Sequence, residues 1–356
     1  MTSPLPTPPD WVRKRLAAGL VIPAHPLALT SAGRLDERRQ RALTRYYHAA
    51  GAGGVAVGVH TTQFAMREPR HGLLRPVLQL ASETVSACDA ATGRQTVRIA
   101  GICGTTAQAV AEAVLARELG YHAGLVSPGA LRDGSEDQVL EHCRVVGREL
   151  PIFGFYLQTA VGGRPLSRDF WTRFSALPCV LGIKIAPFNR YQTLDVLRGV
   201  ADSGRAADVA LYTGNDDHIL LDLLSTWRVP DGGRELRFVG GLLGHWACWT
   251  RTAVDHWERC RRASQEAVIP SDLMSLAVEV TDANAAIFDA ANGFAGCIAG
   301  IHEVLRRQGL LEGIRCLDPS ESLSPGQADE LDRIQHCYPH LNDDTFVAEH
   351  LDRWMQ

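Results

Sequence analysis

Short apolar runs alternate along this chain with longer segments in which apolar residues return every three or four positions. The runs fall at 20–29, 54–59, 97–102, 123–126, 152–156, 180–185, 209–212 and 238–243. They are apolar throughout rather than alternating, as parallel strands covered on both faces should be. Helical spacing fills the gaps. Residues 35–50 bring Leu43, Tyr46, Tyr47 and Ala50 to one side, and 106–119 do so with Val110, Val114 and Leu115. Ser135-Glu-Asp-Gln138 forms a capping box that opens a helix with Val139, Cys143 and Val146 inward. Further helices are expected at 168–177, 191–200 and 218–227, and at 245–263, where Trp246, Trp249, Ala253 and Trp257 recur.

Eight strand–helix alternations predict an α/β chain folded as a (β/α)8 TIM barrel. An open doubly wound sheet would need Gly-x-Gly-x-x-Gly after its first strand. The nearest match, Gly51-Ala-Gly53-Gly54-Val-Ala56, precedes a strand and reads as a helix-ending turn. The barrel is expected over 20–270. A flexible, proline-rich N-terminal arm over 1–19 precedes it. A C-terminal helical annex and tail over 271–356 follows, with helices at 273–291, 293–308 and 345–354. Another helix is expected to run to Cys337, with Ser324 as its N-cap and Pro325 at N1.

Composition removes several classes. The 356 residues carry a formal charge of −4 with no basic block, which argues against nucleic acid or an anionic membrane as partner. No apolar run reaches the ~20 residues of a membrane span. Nine cysteines include no Cys-x-x-Cys pair, so a zinc knuckle or disulfide framework is not expected and a reducing cytoplasm fits. No cofactor is implied. Among 36 Lys+Arg residues only Lys14 and Lys184 are lysines, and Lys184 sits inside the apolar Val180-Leu-Gly-Ile-Lys-Ile-Ala-Pro187.

Function in such barrels gathers at the C-terminal ends of the strands. Polar residues interrupt apolar text there at His60, Thr61, Thr62 and Gln63, at Tyr156 and Gln158, at Lys184, at Asn215 and Asp216, and at His245. An ammonium desolvated in a barrel mouth loses its proton more readily, and the free amine attacks carbonyls to form a Schiff base. A lysine ion-paired at the rim is the structural alternative. Tyr156 is placed to pass protons to the reacting centre, or else is a half-buried aromatic with a satisfied hydroxyl. Thr61 and Thr62 can bind a carboxylate or join the proton path, or simply cap a turn. His60, Asp216 and His245 raise a metal-dependent sugar isomerase or class II aldolase as a rival, although no glutamate stands at these strand ends.

These residues resemble a known family, the dihydrodipicolinate synthase / N-acetylneuraminate lyase group of class I, Schiff-base aldolases. Ser31-Ala-Gly-Arg-Leu-Asp36 is similar to its D-G-x-V-D turn, His60-Thr61-Thr62 to G-T-T-G-E, and Ala100-Gly101-Ile-Cys-Gly104 to A-G-x-G. Leu150-Pro-Ile-Phe-Gly-Phe-Tyr156 resembles the L-P-[IV]-x-x-Y-N strand, Leu181-Gly-Ile-Lys184 the [IV]-G-[IL]-K strand, and Gly214-Asn215-Asp216 the G-x-D turn. The resemblance spans about 21–308. It implies Lys184 as the imine-forming lysine, Tyr156 as the proton-relaying phenol, and Thr61 or Thr62 as a relay or carboxylate-binding hydroxyl. It also implies a metal-free homo-oligomeric lyase or aldolase acting on a small 2-oxo acid or sugar-derived oxo compound. His60, Gln158, Asp216 and His245 would bind that substrate.

The chain departs from the pattern at His60 for glycine, at Gln63-Phe64 for Gly-Glu, at Val161 for an arginine, and at Ile185 for a frequent glutamate. Residues 127–131 lack the tyrosine that many members carry. The departures point away from the lysine-biosynthetic reaction. They also keep open a barrel that has lost catalysis and binds a ligand or partner.

Overall fold

The computed structural model describes residues 5–229 and 235–356. Eight parallel strands, β1 (Val21–Pro23), β2 (Gly54–Val57), β3 (Val97–Ile102), β4 (Ala123–Val126), β5 (Ile152–Leu157), β6 (Val180–Ala186), β7 (Ala210–Thr213) and β10 (Gly240–Leu243), pair in the order β1-β10-β7-β6-β5-β4-β3-β2. A parallel bridge between Ala24 and Ala56 closes the ring. Helices follow the strands: α2 (Glu37–Ala50), α3 (Leu74–Thr92), α4 (Thr106–Glu118), α5 (Glu136–Val146), α6 (Arg168–Ser175), α7 (Arg190–Asp202), α8 (Ile219–Leu224) and α9 (Thr250–Ala263). This is the expected (β/α)8 barrel. Gly51 ends α2 in a left-handed conformation, φ 101°, as its position before a strand required, and the Ser135–Gln138 capping box opens α5.

Two apolar layers result. Val59, Phe153, Phe155, Leu181 and Tyr212 fill the barrel interior, and the larger layer lies between the strands and the helices. The expectation of a flexible arm is corrected here. Residues Asp10–Ala18 form helix α1, whose Val12 and Leu16 plug the N-terminal end of the barrel, with Tyr212 Oη donating to Leu16 O at 2.9 Å. Residues 1–4 of that arm lie outside the described residues. The helix expected over 218–227 is shorter. It stops at Leu224, and Thr226–Arg228 (β8) pairs antiparallel with Glu235–Arg237 (β9).

The annex contains α10 (Ser271–Ile287), α11 (Cys297–Arg307), α12 (Gln327–Cys337) and α13 (Asp344–Trp354). It folds back onto the barrel. Buried Asp343 accepts from Tyr46 Oη at 2.7 Å, from Arg251 N at 2.9 Å and from Gln308 Nε2 at 2.8 Å. The N-cap of α12 is Gly326, φ 83°, and not Ser324. The Ser324 hydroxyl instead donates to Asp289 Oδ2, tying α12 to the loop between α10 and α11. That loop reaches the mouth of the barrel.

Candidate active site

A small cavity of about 50 Å³ lies at the C-terminal mouth, with Lys184 in its wall. Alternation along β6 turns Lys184 inward, between Gly182 and Ala186, while Ile183 and Ile185 face the helices. A Cβ at Gly214 would stand 2.6 Å from Lys184 Cε and 2.8 Å from Ala186 Cβ. The bare glycine backbone of the β7 loop is therefore what leaves room for the lysine stem. Lys184 is 7% exposed, and its Nζ lies 4.5 Å from the centroid of the Phe155 ring. No hydrogen bond or ion pair holds the amine among the described residues.

Asp216 shares the cavity. Its Oδ1 accepts the His245 backbone N–H at 3.1 Å. Burial pushes the Asp216 carboxyl above the usual carboxylate range and the Lys184 ammonium below the usual lysine range, and the charge of each partly offsets the shift of the other. Asn215 anchors the loop between them: its Oδ1 accepts Phe188 N at 3.1 Å, and its Nδ2 donates to buried Asp222 at 3.0 Å. The His60 ring borders the same space, edge-on to Phe64, and burial together with the nearby Lys184 charge brings it down to about 4, so it is a neutral imidazole. Gln158 also lines the cavity.

Three expectations change, and one rival arrangement is not found among the described residues. Tyr156 is turned out of the site. Its ring packs on Trp171, centroids 5.0 Å apart, and its Oη accepts from Leu166 N at 3.3 Å. The reason is strand parity: Phe153 and Phe155 face the barrel interior, so Tyr156 must face the helices. Phe155 is the residue paired in register with Lys184. Counting L-P-[IV]-x-x-Y from Leu150 also puts the tyrosine position on Phe155, one residue before Tyr156.

The hydroxyls of Thr61 and Thr62 are likewise turned to backbone carbonyls. Thr61 Oγ1 donates to Ala24 O at 2.8 Å and Thr62 Oγ1 to His25 O at 2.6 Å. Both staple the β2 end to the β1 end where the ring closes; Thr61 still lines the cavity, and Thr62 lies behind it. The His245 side chain also stands outside the cavity, with its Nδ1 3.3 Å from Asn284 Nδ2 and its ring edge-on to Trp249. Its backbone, not its ring, serves the site. Finally, His60, Asp216 and His245 do not assemble a metal centre: among the described residues no three His, Cys, Asp or Glu side chains gather as a ligand set.

The cavity has a roof that sequence reasoning missed. Phe288, Phe294 and Cys297, from the α10–α11 loop and the start of α11, close it together with Phe188. Phe188 and Phe294 meet edge-to-face, centroids 5.7 Å apart at 80°. Both have positive φ, 52° and 71°, as has Asp289 at 58°. Non-glycine residues adopt that conformation rarely and at a cost, and such strain clusters where structure is held for function. Asp289 Oδ2 accepts Gly296 N at 2.9 Å, and Gln327 Nε2 donates to Gly296 O at 3.1 Å. The annex thus holds the roof in place. A larger open groove of about 490 Å³ at the opposite, N-terminal end of the barrel, near Lys14 and Arg237, lies far from this chemistry.

Fold and site together describe a closed (β/α)8 barrel with one buried lysine at the end of its sixth barrel strand. Solved structures share this architecture. Dihydrodipicolinate synthase from Oceanobacillus iheyensis superposes with a TM-score of 0.71 at 17% identity, over 93% of this chain and 100% of that one. N-acetylneuraminate lyase from Fusobacterium nucleatum gives 0.70 at 14%, over 90% and 99%. A prophage protein of the dihydrodipicolinic acid synthase family from E. coli K12, in complex with pyruvate, gives 0.70 at 17%, over 89% and 97%. At these identities the likeness is one of fold, which is the fold implied by the sequence motifs. No family model matches the chain, and no curated protein sequence matches it.

Proposed function

We propose that this barrel is a lyase of the class I aldolase type, forming an imine between Lys184 Nζ and the carbonyl carbon of a small oxo compound. The observation that carries the reading is a buried amine that, among the described residues, has no ion-pair partner and lines a cavity at the barrel mouth. Desolvation populates the neutral amine, which attacks the carbonyl; loss of water leaves a protonated imine. That cation draws electrons from the neighbouring carbon and so permits carbon–carbon cleavage or loss of a hydroxyl. The short turn His60–Thr62 borders the cavity, and among the described residues the backbone N–H groups of His60 and Thr61 make no backbone hydrogen bond. They are suited to a carboxylate, so a 2-oxo acid fits better than a sugar-derived ketone. Gln158 faces the remainder of the substrate.

The test is borohydride reduction of the protein with pyruvate, 2-oxobutyrate and glyceraldehyde, followed by peptide mass spectrometry. A reduced adduct on Lys184 is expected. Adducts only on Lys14 or the N-terminus, or none, refute the reading. A second reading, a barrel that binds a carbonyl compound without turning it over, is favoured by one observation, that Phe155 stands opposite Lys184 where a phenol would supply a proton. It predicts an adduct with no released product.

A further inference from the structure

The cavity wall holds four titratable side chains, His60, Lys184, Asp216 and Cys297. An imine on Lys184 requires a base for the proton on the neighbouring carbon, and the residues the sequence put forward for proton transfer are turned away or bonded to backbone. Tyr156 faces the helices, and the Thr61 and Thr62 hydroxyls donate to backbone carbonyls. Phe155 has no proton to give. Cys297 is buried at the start of α11, and its burial holds it as a thiol. Burial brings His60 down to about 4, which makes its imidazole a weak base, and among the described residues no carboxylate bonds to its ring.

Asp216 differs from all of these in geometry. The His245 N–H fixes one carboxyl oxygen, and among the described residues no side chain donates to the other. The Asn215 contacts to Phe188 and Asp222 hold its loop rigid. Lys184 lines the same cavity, and among the described residues no ion pair or hydrogen bond joins it to Asp216. We propose that Asp216 is the proton-transferring residue of this site, standing in for a phenol, and that its carboxylate takes the proton from the carbon next to the imine. This rests on the imine reading above. The C–H electron pair becomes the new C=C bond, the C=N pair moves onto nitrogen, and the proton ends on the Asp216 carboxyl. Reprotonation of the enamine carbon by that carboxyl reverses each movement, so no co-reactant is needed. The groups facing Asp216 are Lys184 from β6, Cys297 from α11 and its neighbour Asp217. Burial keeps the carboxyl able to give its proton back near neutral pH.

The experiment follows exchange of pyruvate methyl protons for deuterium by NMR, in wild-type protein, Asp216→Asn and Asp216→Glu, with borohydride trapping on the same samples. Asparagine keeps an oxygen for the His245 N–H, so the fold is retained. Asp216→Asn is expected to trap pyruvate on Lys184 within about threefold of wild type yet exchange at least ~100-fold more slowly, the scale of one general base. Asp216→Glu is expected to recover part of the exchange. Exchange at the wild-type rate in Asp216→Asn overturns the assignment and leaves the imine reading standing. Loss of both adduct and exchange in Asp216→Asn also overturns it, since Asp216 would then merely position Lys184. Wild-type protein that forms no adduct overturns the imine reading and this assignment together.

Discussion

Gln327 offers a way to loosen the roof of the cavity without touching the cavity. Its side chain is buried beneath the α10–α11 loop, with Nε2 donating to Ala286 O, Ile287 O and Gly296 O at 3.2, 3.3 and 3.1 Å, and Oε1 accepting Ser324 N at 3.1 Å. Gln327→Ala removes about three hydrogen bonds, since two N–H donors are shared among three carbonyls. At ~0.7–1 kcal/mol net for each, inside the usual range for an intramolecular hydrogen bond, the loss is about 2–3 kcal/mol. If that loss falls on the loop, the opened loop becomes roughly 30- to 150-fold more populated. Hydrogen exchange read by mass spectrometry should then quicken across Phe288 to Gly296. Borohydride trapping of Lys184 by benzaldehyde, too large for the closed cavity, should rise in parallel. If exchange rises only along α12 while the loop and the trapping stay at wild-type levels, the annex does not hold the roof and the reasoning fails.

Two further outcomes follow from the same geometry. Gly214→Ala places a methyl group against the Lys184 stem and Ala186, at a cost of ~1–3 kcal/mol, and should slow adduct formation at least tenfold; a variant that traps at the wild-type rate contradicts the tight packing. Burial lowers the Lys184 value in the folded chain below its ordinary 10.5, so between the two values the unfolded chain binds the extra proton and unfolding free energy rises with pH. Lys184→Met removes that slope. It should be roughly 1–3 kcal/mol more stable than wild type near pH 7, and the gap should narrow toward pH 10.5. Urea melts across that range measure it, and a destabilised variant or a widening gap goes against a desolvated amine.

The parallel strands were legible because strands buried on both faces need unbroken apolar runs, and β3 and β4 begin and end where the pattern places them. Lys184 was legible because a polar residue at the end of such a run has only the barrel mouth to occupy. Tyr156 was misplaced by one position. Phe155-Tyr156 sets two aromatics side by side, and a strand sends neighbours to opposite faces, so one residue of register exchanges a cavity-facing ring for a packing one. Helix α1 was hidden behind prolines, although Val12 and Leu16 stand four apart on one helical face. The roof was not legible at all. Phe288 and Phe294 lie in text that reads as two helices, and only the contacts of Ser324 and Gln327, distant in sequence, bring that loop over the barrel.

The central claim is a covalent bond between Lys184 and a carbonyl carbon, and isotope-edited NMR observes that carbon directly. Pyruvate labelled with carbon-13 at its carbonyl, mixed with the protein near pH 8 without any reductant, should give a new protein-bound imine resonance that is absent with Lys184→Met. A spectrum showing only free pyruvate and its hydrate, or an imine signal that persists in Lys184→Met, would contradict the account.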